Sequence, residues 1–196
     1  MWLAYPLQEG TLDSLSLTSN HLLKEPMKSP FLTVACLTVF ALVLGPTSRA
    51  LADVAASDKT FFLKASQGGL TEVEAGKLAQ EKGSSQDVKD FGAMMVKDHT
   101  ANNADLMALA KTKGVDVSDK LDAKHQGMID GLSAKSGADF DKAYIDAMVK
   151  GHTRMLKLMT SEESSSDADL KGFATKTSDT VQMHLTKAED IQKSLK

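Results

Sequence analysis

Residues 88–110 read VKDFGAMMVKDHTANNADLMALA, with the pair Asp98-His99 near their centre. A helix turns about 100° per residue, so Val88, Phe91, Met95, His99, Asn102, Leu106 and Leu109 fall on one stripe. His99 stands in the middle of a face that is otherwise oily. Working outward, three further segments show the same design, a long amphipathic pattern with one polar residue centred on its apolar face: Glu72, His152 and His184. The pattern predicts an all-α, ferritin-like four-helix bundle with a polar cluster in its core.

Composition supports helices over strands. No proline follows Pro46, aromatic residues are 5% of the chain, and Ala, Lys, Leu and Asp are abundant. Helix one is expected over 58–82 with Ser57 as N-cap, its inner face carrying Phe61, Ala65, Gly68, Glu72, Ala75, Gly76 and Ala79. The small residues about Glu72 should let a neighbouring helix approach closely. Helix two is expected over 86–113, ended by Gly114 as a C′ residue. A shorter amphipathic piece, 118–134, follows. Helix three runs from about 137 to 160, its inner face Phe140, Tyr144, Ala147, Met148, Gly151, Met155 and Leu158 with Asp141, His152 and Met159 on one flank; a serine-rich loop covers 161–166, and helix four runs from Asp167 with His184 inward.

Whether the four polar residues meet depends on the short piece. If it is a local excursion, the helices alternate up and down and nothing converges firmly. If it is a crossover between helices two and three, those two run parallel. Glu72, His99, His152 and His184 then lie within about four residues of one level, which is about 6 Å along a helix.

Neutral imidazole and carboxylate are the usual ligands of zinc, iron, manganese and copper, and buried polar groups need partners. Glu72, His99, His152 and His184 are therefore candidate metal ligands. Asp98, at the edge of the stripe, is a candidate fifth ligand or a group orienting an imidazole, and Asn102 is a candidate for the orienting role. Asp141 and Tyr144 lie too near the start of helix three to join the layer, and His125 reads as a surface residue. Met95, Met148 and Met155 are candidate soft donors if the ion is copper, although helical methionines also serve as core filler. The competing reading is a buried hydrogen-bond network that only fixes helix register.

The N-terminal part reads as processing sequence. Met27-Lys28, an apolar run from Pro30 to Gly45 and Ala50-Leu51-Ala52 form a signal-peptide pattern with cleavage before Asp53. The run is too short for a membrane span. The expectation is an extension over 1–26 that precedes the true start, a signal peptide over 27–52, and an exported domain over 53–196, periplasmic or secreted. Cys36, the chain's one cysteine, lies within the signal, so the exported domain has no disulfide; its lipidation is an alternative fate. With 23 basic against 26 acidic residues, interspersed, nothing attracts nucleic acid. No phosphate loop, nucleotide motif or nucleophilic triad is present.

Gly69-Leu70-Thr71-Glu72-Val73, Met95-Val96-Lys97-Asp98-His99, Asp139-Phe140-Asp141-Lys142-Ala143-Tyr144, Met148-Val149-Lys150-Gly151-His152 and His184-Leu185 together resemble the exported bacterial domain of unknown function family 4142, placed with the ferritin-like superfamily. The likeness spans about 57–191. It implies export, a helical bundle and ferritin-like topology, and no particular activity. One departure limits the chemistry. Di-iron members of ferritin-like folds use Glu-x-x-His, whereas Val96, Val149 and Val181 stand three residues before the histidines here. The expected function is an exported protein binding one transition-metal ion for handling or stress protection. A non-catalytic envelope module is the alternative and a metal-dependent redox enzyme the third reading.

Overall fold

The computed structural model describes residues 54–195. The expected extension, signal peptide, cleavage site and Cys36 lie outside the described residues. Five helices and no strand occur among those described: α1 (Ala56–Lys82), α2 (Gln86–Thr112), α3 (Ala123–Ser133), α4 (Gly137–Glu162) and α5 (Ala168–Ser194). None is long and apolar enough to cross a membrane.

Two contacts between helix ends decide the topology. Asp141, in the first turns of α4, accepts hydrogen bonds from the backbone N–H groups of Ser84 (2.9 Å) and Ser85 (2.8 Å) in the α1–α2 turn. Lys113, just past α2, pairs with Asp167 and Asp169 at the start of α5. The starts of α2 and α4 therefore share one end of the bundle, and the two helices run parallel. α1 and α5 run against them. Asp141, which sequence position kept out of the polar layer, thus serves to cap an end.

The crossover has the expected placement but a different build. Only 123–133 of the expected 118–134 is helical, because Asp122 receives the His125 N–H (2.8 Å) and starts the helix there. The preceding residues lie along α1: Ser66 donates to the Ser118 carbonyl (3.2 Å), and Gln67 bonds both the Lys120 carbonyl (3.0 Å) and the Asp122 N–H (2.8 Å). Within this stretch the Ser118 hydroxyl bonds the Lys120 N–H and carbonyl (3.0 Å each), a local turn that precedes the helix. Gly114 turns out of α2 at φ 70°, the left-handed conformation expected of a C′ glycine. Ser57, the expected N-cap of α1, instead lies inside the first turn. Its hydroxyl bonds Asp58, and Ala55 occupies the cap position with no side-chain bond.

Packing divides the core into two apolar halves. Toward the α1–α2 turn lie Ala75, Ala79, Phe91, Met95, Tyr144 and Met148, closed below by Ile129 and Leu132 of α3. Toward the other end lie Phe61, Phe62, Leu106, Ala110, Met159 and Leu170. Between them sit the buried polar residues Glu72, His99, Asn103, His152, Thr177 and His184. The small residues of α1 bring α2 to backbone contact: a Cβ on Gly92 would lie 2.8 Å from the Gly76 carbonyl oxygen and 2.7 Å from Ala79 Cβ. Gly92→Ala must push the helices apart, so urea unfolding is expected to show a loss of about 2 kcal/mol, as overpacking does elsewhere. Alanine at Gly172, whose added Cβ would meet nothing within 4 Å, should not destabilise.

Candidate metal centre in the core

His99 of α2, His152 of α4 and His184 of α5 form the centre of the polar layer. Each offers a nitrogen, and the three nitrogens lie within 4.8 Å of one another. The ring centroids are 5.3 to 5.4 Å apart in all three pairings. His99 Nε2 and His152 Nε2 approach to 3.4 Å. Three buried histidines so placed could hold a metal ion.

Two of the rings are oriented from outside the triad. His152 Nδ1 donates to the Met148 carbonyl one turn earlier (2.9 Å), which leaves the Nε2 lone pair directed at His99. His184 Nε2 donates to Asp98 Oδ2 (3.0 Å), and His184 Nδ1 is buried with no hydrogen-bond partner. Asp98 accordingly acts on an imidazole, one of the two roles its position on the stripe allowed. Asn102 does not: it accepts from Thr177 (2.9 Å) on α5. Its neighbour Asn103 turns inward instead, close enough to fill the space where Gly69 lacks a side chain.

Glu72 shares the layer but stands on the other side of His152. Its Oε1 is 3.7 Å from His152 Nδ1 and packs into the gap left by Gly151, where a Cβ would lie 2.8 Å away. Its Oε2 is buried without a partner. Glu72 thus faces the nitrogen that His152 turns away from the triad. Tyr144 stacks on Phe140 and keeps a buried hydroxyl without a partner. His125 is partly exposed and bonds Asp122 at the start of α3, away from the triad.

Burial sets the protonation states. It holds His99 well below the ordinary histidine value, helped by His152 and His184, and lowers His152 to about 4, with His184 adding to the shift and the Met148 carbonyl opposing it. His184 is lowered by burial against the opposing pull of Asp98. Burial also raises Glu72 to about 8, against Arg154, and holds Tyr144 well above the phenol range with Glu72 adding to the effect. At neutral pH the layer is three neutral imidazoles beside a neutral carboxylic acid, which is the ligand-competent state of histidine.

The profile of the family described as Domain of unknown function (DUF4142) matches residues 44–191. The chain belongs to the DUF4142 family. Among solved structures, the crystal structure of a DUF305 fragment from Deinococcus radiodurans is similar in fold, with a TM-score of 0.64 at 10% identity over 71% of this chain and 97% of that one. No curated protein matches. The DUF4142 match covers all four helices that bear the polar layer, and the DUF305 likeness extends to the fold alone.

The two kinds of shift act on stability in opposite directions. The folded imidazoles resist protonation, so their contribution is complete above pH 6.5 and is lost as pH falls toward 4. Folded Glu72 retains its proton, so its contribution is complete below pH 4.5 and is lost as pH rises through about 8. Glu72→Gln, which cannot ionise, is therefore expected to be more stable than wild type at pH 8 by on the order of 2 kcal/mol and to lose that advantage at pH 4.5, measured by urea unfolding without added metal.

Proposed function

We propose that this DUF4142 chain is an exported protein that binds one transition-metal ion in its bundle core, through His99, His152 and His184, for metal handling or stress protection. The observation that carries the reading is the 3.4 Å approach of His99 Nε2 to His152 Nε2, with the third imidazole a ring's width from both. Two nitrogens bound to one four-coordinate ion at ordinary bond lengths are separated by about 3.3 to 3.4 Å. The hydrogen bonds of His152 to a carbonyl and of His184 to Asp98 are the outer contacts that fix an imidazole's tautomer in metal sites. Bound there, an ion would supply Lewis acidity or one-electron chemistry, according to its identity.

An all-imidazole set suits zinc, copper or iron better than manganese, which favours oxygen ligands. Glu72 would support His152 from behind in this reading, and Asp98 would orient His184. The alternative, a metal-free network in which one histidine donates to the other, is favoured by the same 3.4 Å contact. It leaves His184 Nδ1 unpaired in the core, at a cost of about 1–3 kcal/mol.

Elemental analysis of the protein as purified from its native compartment, without a histidine tag, decides between them. The expected result is about one equivalent of a single metal, lost in the His99→Ala, His152→Ala double variant, with the wild-type melting temperature lowered by chelator. Wild-type protein without metal, indifferent to chelator and to added ions, would leave only the hydrogen-bond network.

A further inference from the structure

His99, His152 and His184 are 4%, 1% and 0% exposed, so an ion reaches them only where two helices part. The seams around them are closed in different ways. α1 and α2 are in backbone contact at Gly76 and Gly92; α1 and α4 interlock where Gly68 admits the Met155 methyl group and Gly151 admits the Glu72 carboxyl. α2 and α5 are joined by polar pairs: Asp98 with His184 (3.0 Å), Asn102 with Thr177 (2.9 Å), Asp105 with Lys176 (3.0 Å), and Lys113 with Asp167 and Asp169. Polar pairs along a seam that water can enter exchange their hydrogen bonds for water as they part, whereas close-packed backbone opens only by losing its apolar contacts. Within this seam one side chain touches both water and the triad. Asp98 is 26% exposed, and the imidazole it bonds is fully buried.

We propose that the metal ion enters and leaves the core through the α2/α5 seam, captured first by Asp98 and passed from its carboxylate to His184. The proposal rests on the triad being a metal site. A carboxylate at the mouth raises the local concentration of cations, and carboxylate oxygen is itself a competent ligand for the ions that imidazole binds. An ion held by Asp98 lies next to the ring of His184, and parting the Asn102–Thr177 pair one turn along α2 opens the way inward. The site so served exchanges its ion and does not lock it in for the life of the fold. Asp98 is a positioning residue for His184 in the closed protein and the receiving group when the seam opens.

Stopped-flow uptake of Co²⁺ by the full chain, followed by its ligand-field absorption, tests the route together with release into excess chelator. Asp98→Asn keeps an acceptor for the His184 N–H and removes the charge. It is expected to slow uptake about tenfold and to abolish most of its dependence on ionic strength, without faster release. The double variant Asn102→Leu, Thr177→Val, which replaces a seam hydrogen bond by apolar contact, should slow uptake and release alike. Asp146→Asn, at the α4/α5 seam where Asp146 bonds Gln192, should change neither. An Asp98 that only orients His184 would show unchanged uptake and faster release, and this result overturns the proposal. So does slowed uptake in Asp146→Asn with normal uptake in Asp98→Asn. If the wild-type chain takes up no Co²⁺, the triad is not a metal site and the route falls with it; uptake with the wrong pattern among the variants removes the route alone.

Discussion

Three imidazoles stacked into the middle of a helical core have to find partners for six ring nitrogens where almost no water reaches. That requirement shapes the layer. The Met148 carbonyl takes one N–H, Asp98 takes another, and the nitrogens of His99 and His152 that remain in the interior turn toward each other at 3.4 Å. The outer partners fix which nitrogen of His152 and of His184 carries a proton, and so leave unprotonated nitrogens facing inward. A metal ion is the partner that satisfies several such nitrogens at once.

The remainder of the fold holds four helices at a common level around this layer. Apolar packing above and below supplies the burial that keeps the imidazoles neutral, and the same burial keeps Glu72 protonated against the pull of Arg154. The parallel run of α2 and α4 is what brings His99 and His152 level, and it depends on a crossover part irregular and part helical. Asp141 fastens one end of that arrangement and Lys113 the other. Glycines then decide which seams are tight: Gly76 and Gly92 lock α1 to α2, Gly151 makes room for a carboxyl, and the α2/α5 seam is left to polar pairs.

Much of this was legible in residue spacing. The 3.6-residue period placed His99 and His184 on inner stripes and His152 on the flank of one, from which the structure turns it fully inward, and the small residues of α1 announced a close neighbour. Helix ends were less legible where a distant residue makes the cap. The α1–α2 turn is held by Asp141, far away in sequence, and the start of α3 is set by Asp122, which a run of amphipathic residues from 118 obscures. Spacing gives the rotation of a residue about its helix and not the reach of its side chain. Glu72 therefore read as a member of the same ligand set, while its carboxyl in fact lies behind His152. Asn102, expected to orient an imidazole, instead bonds Thr177, and its neighbour Asn103 is the one that turns inward. A carbonyl such as that of Met148 leaves no mark in a sequence.

On the proposed reading the three histidines are preset for a metal ion before one binds. Long-range proton–nitrogen NMR of the imidazoles in metal-free protein at neutral pH reads this directly. Neutral rings are expected, with the proton of His152 on Nδ1 and that of His184 on Nε2, and a shift of the His99 and His152 Nε2 resonances together when zinc is added. Protonated imidazolium rings, or His152 carrying its proton on Nε2 with no response to zinc, would contradict it.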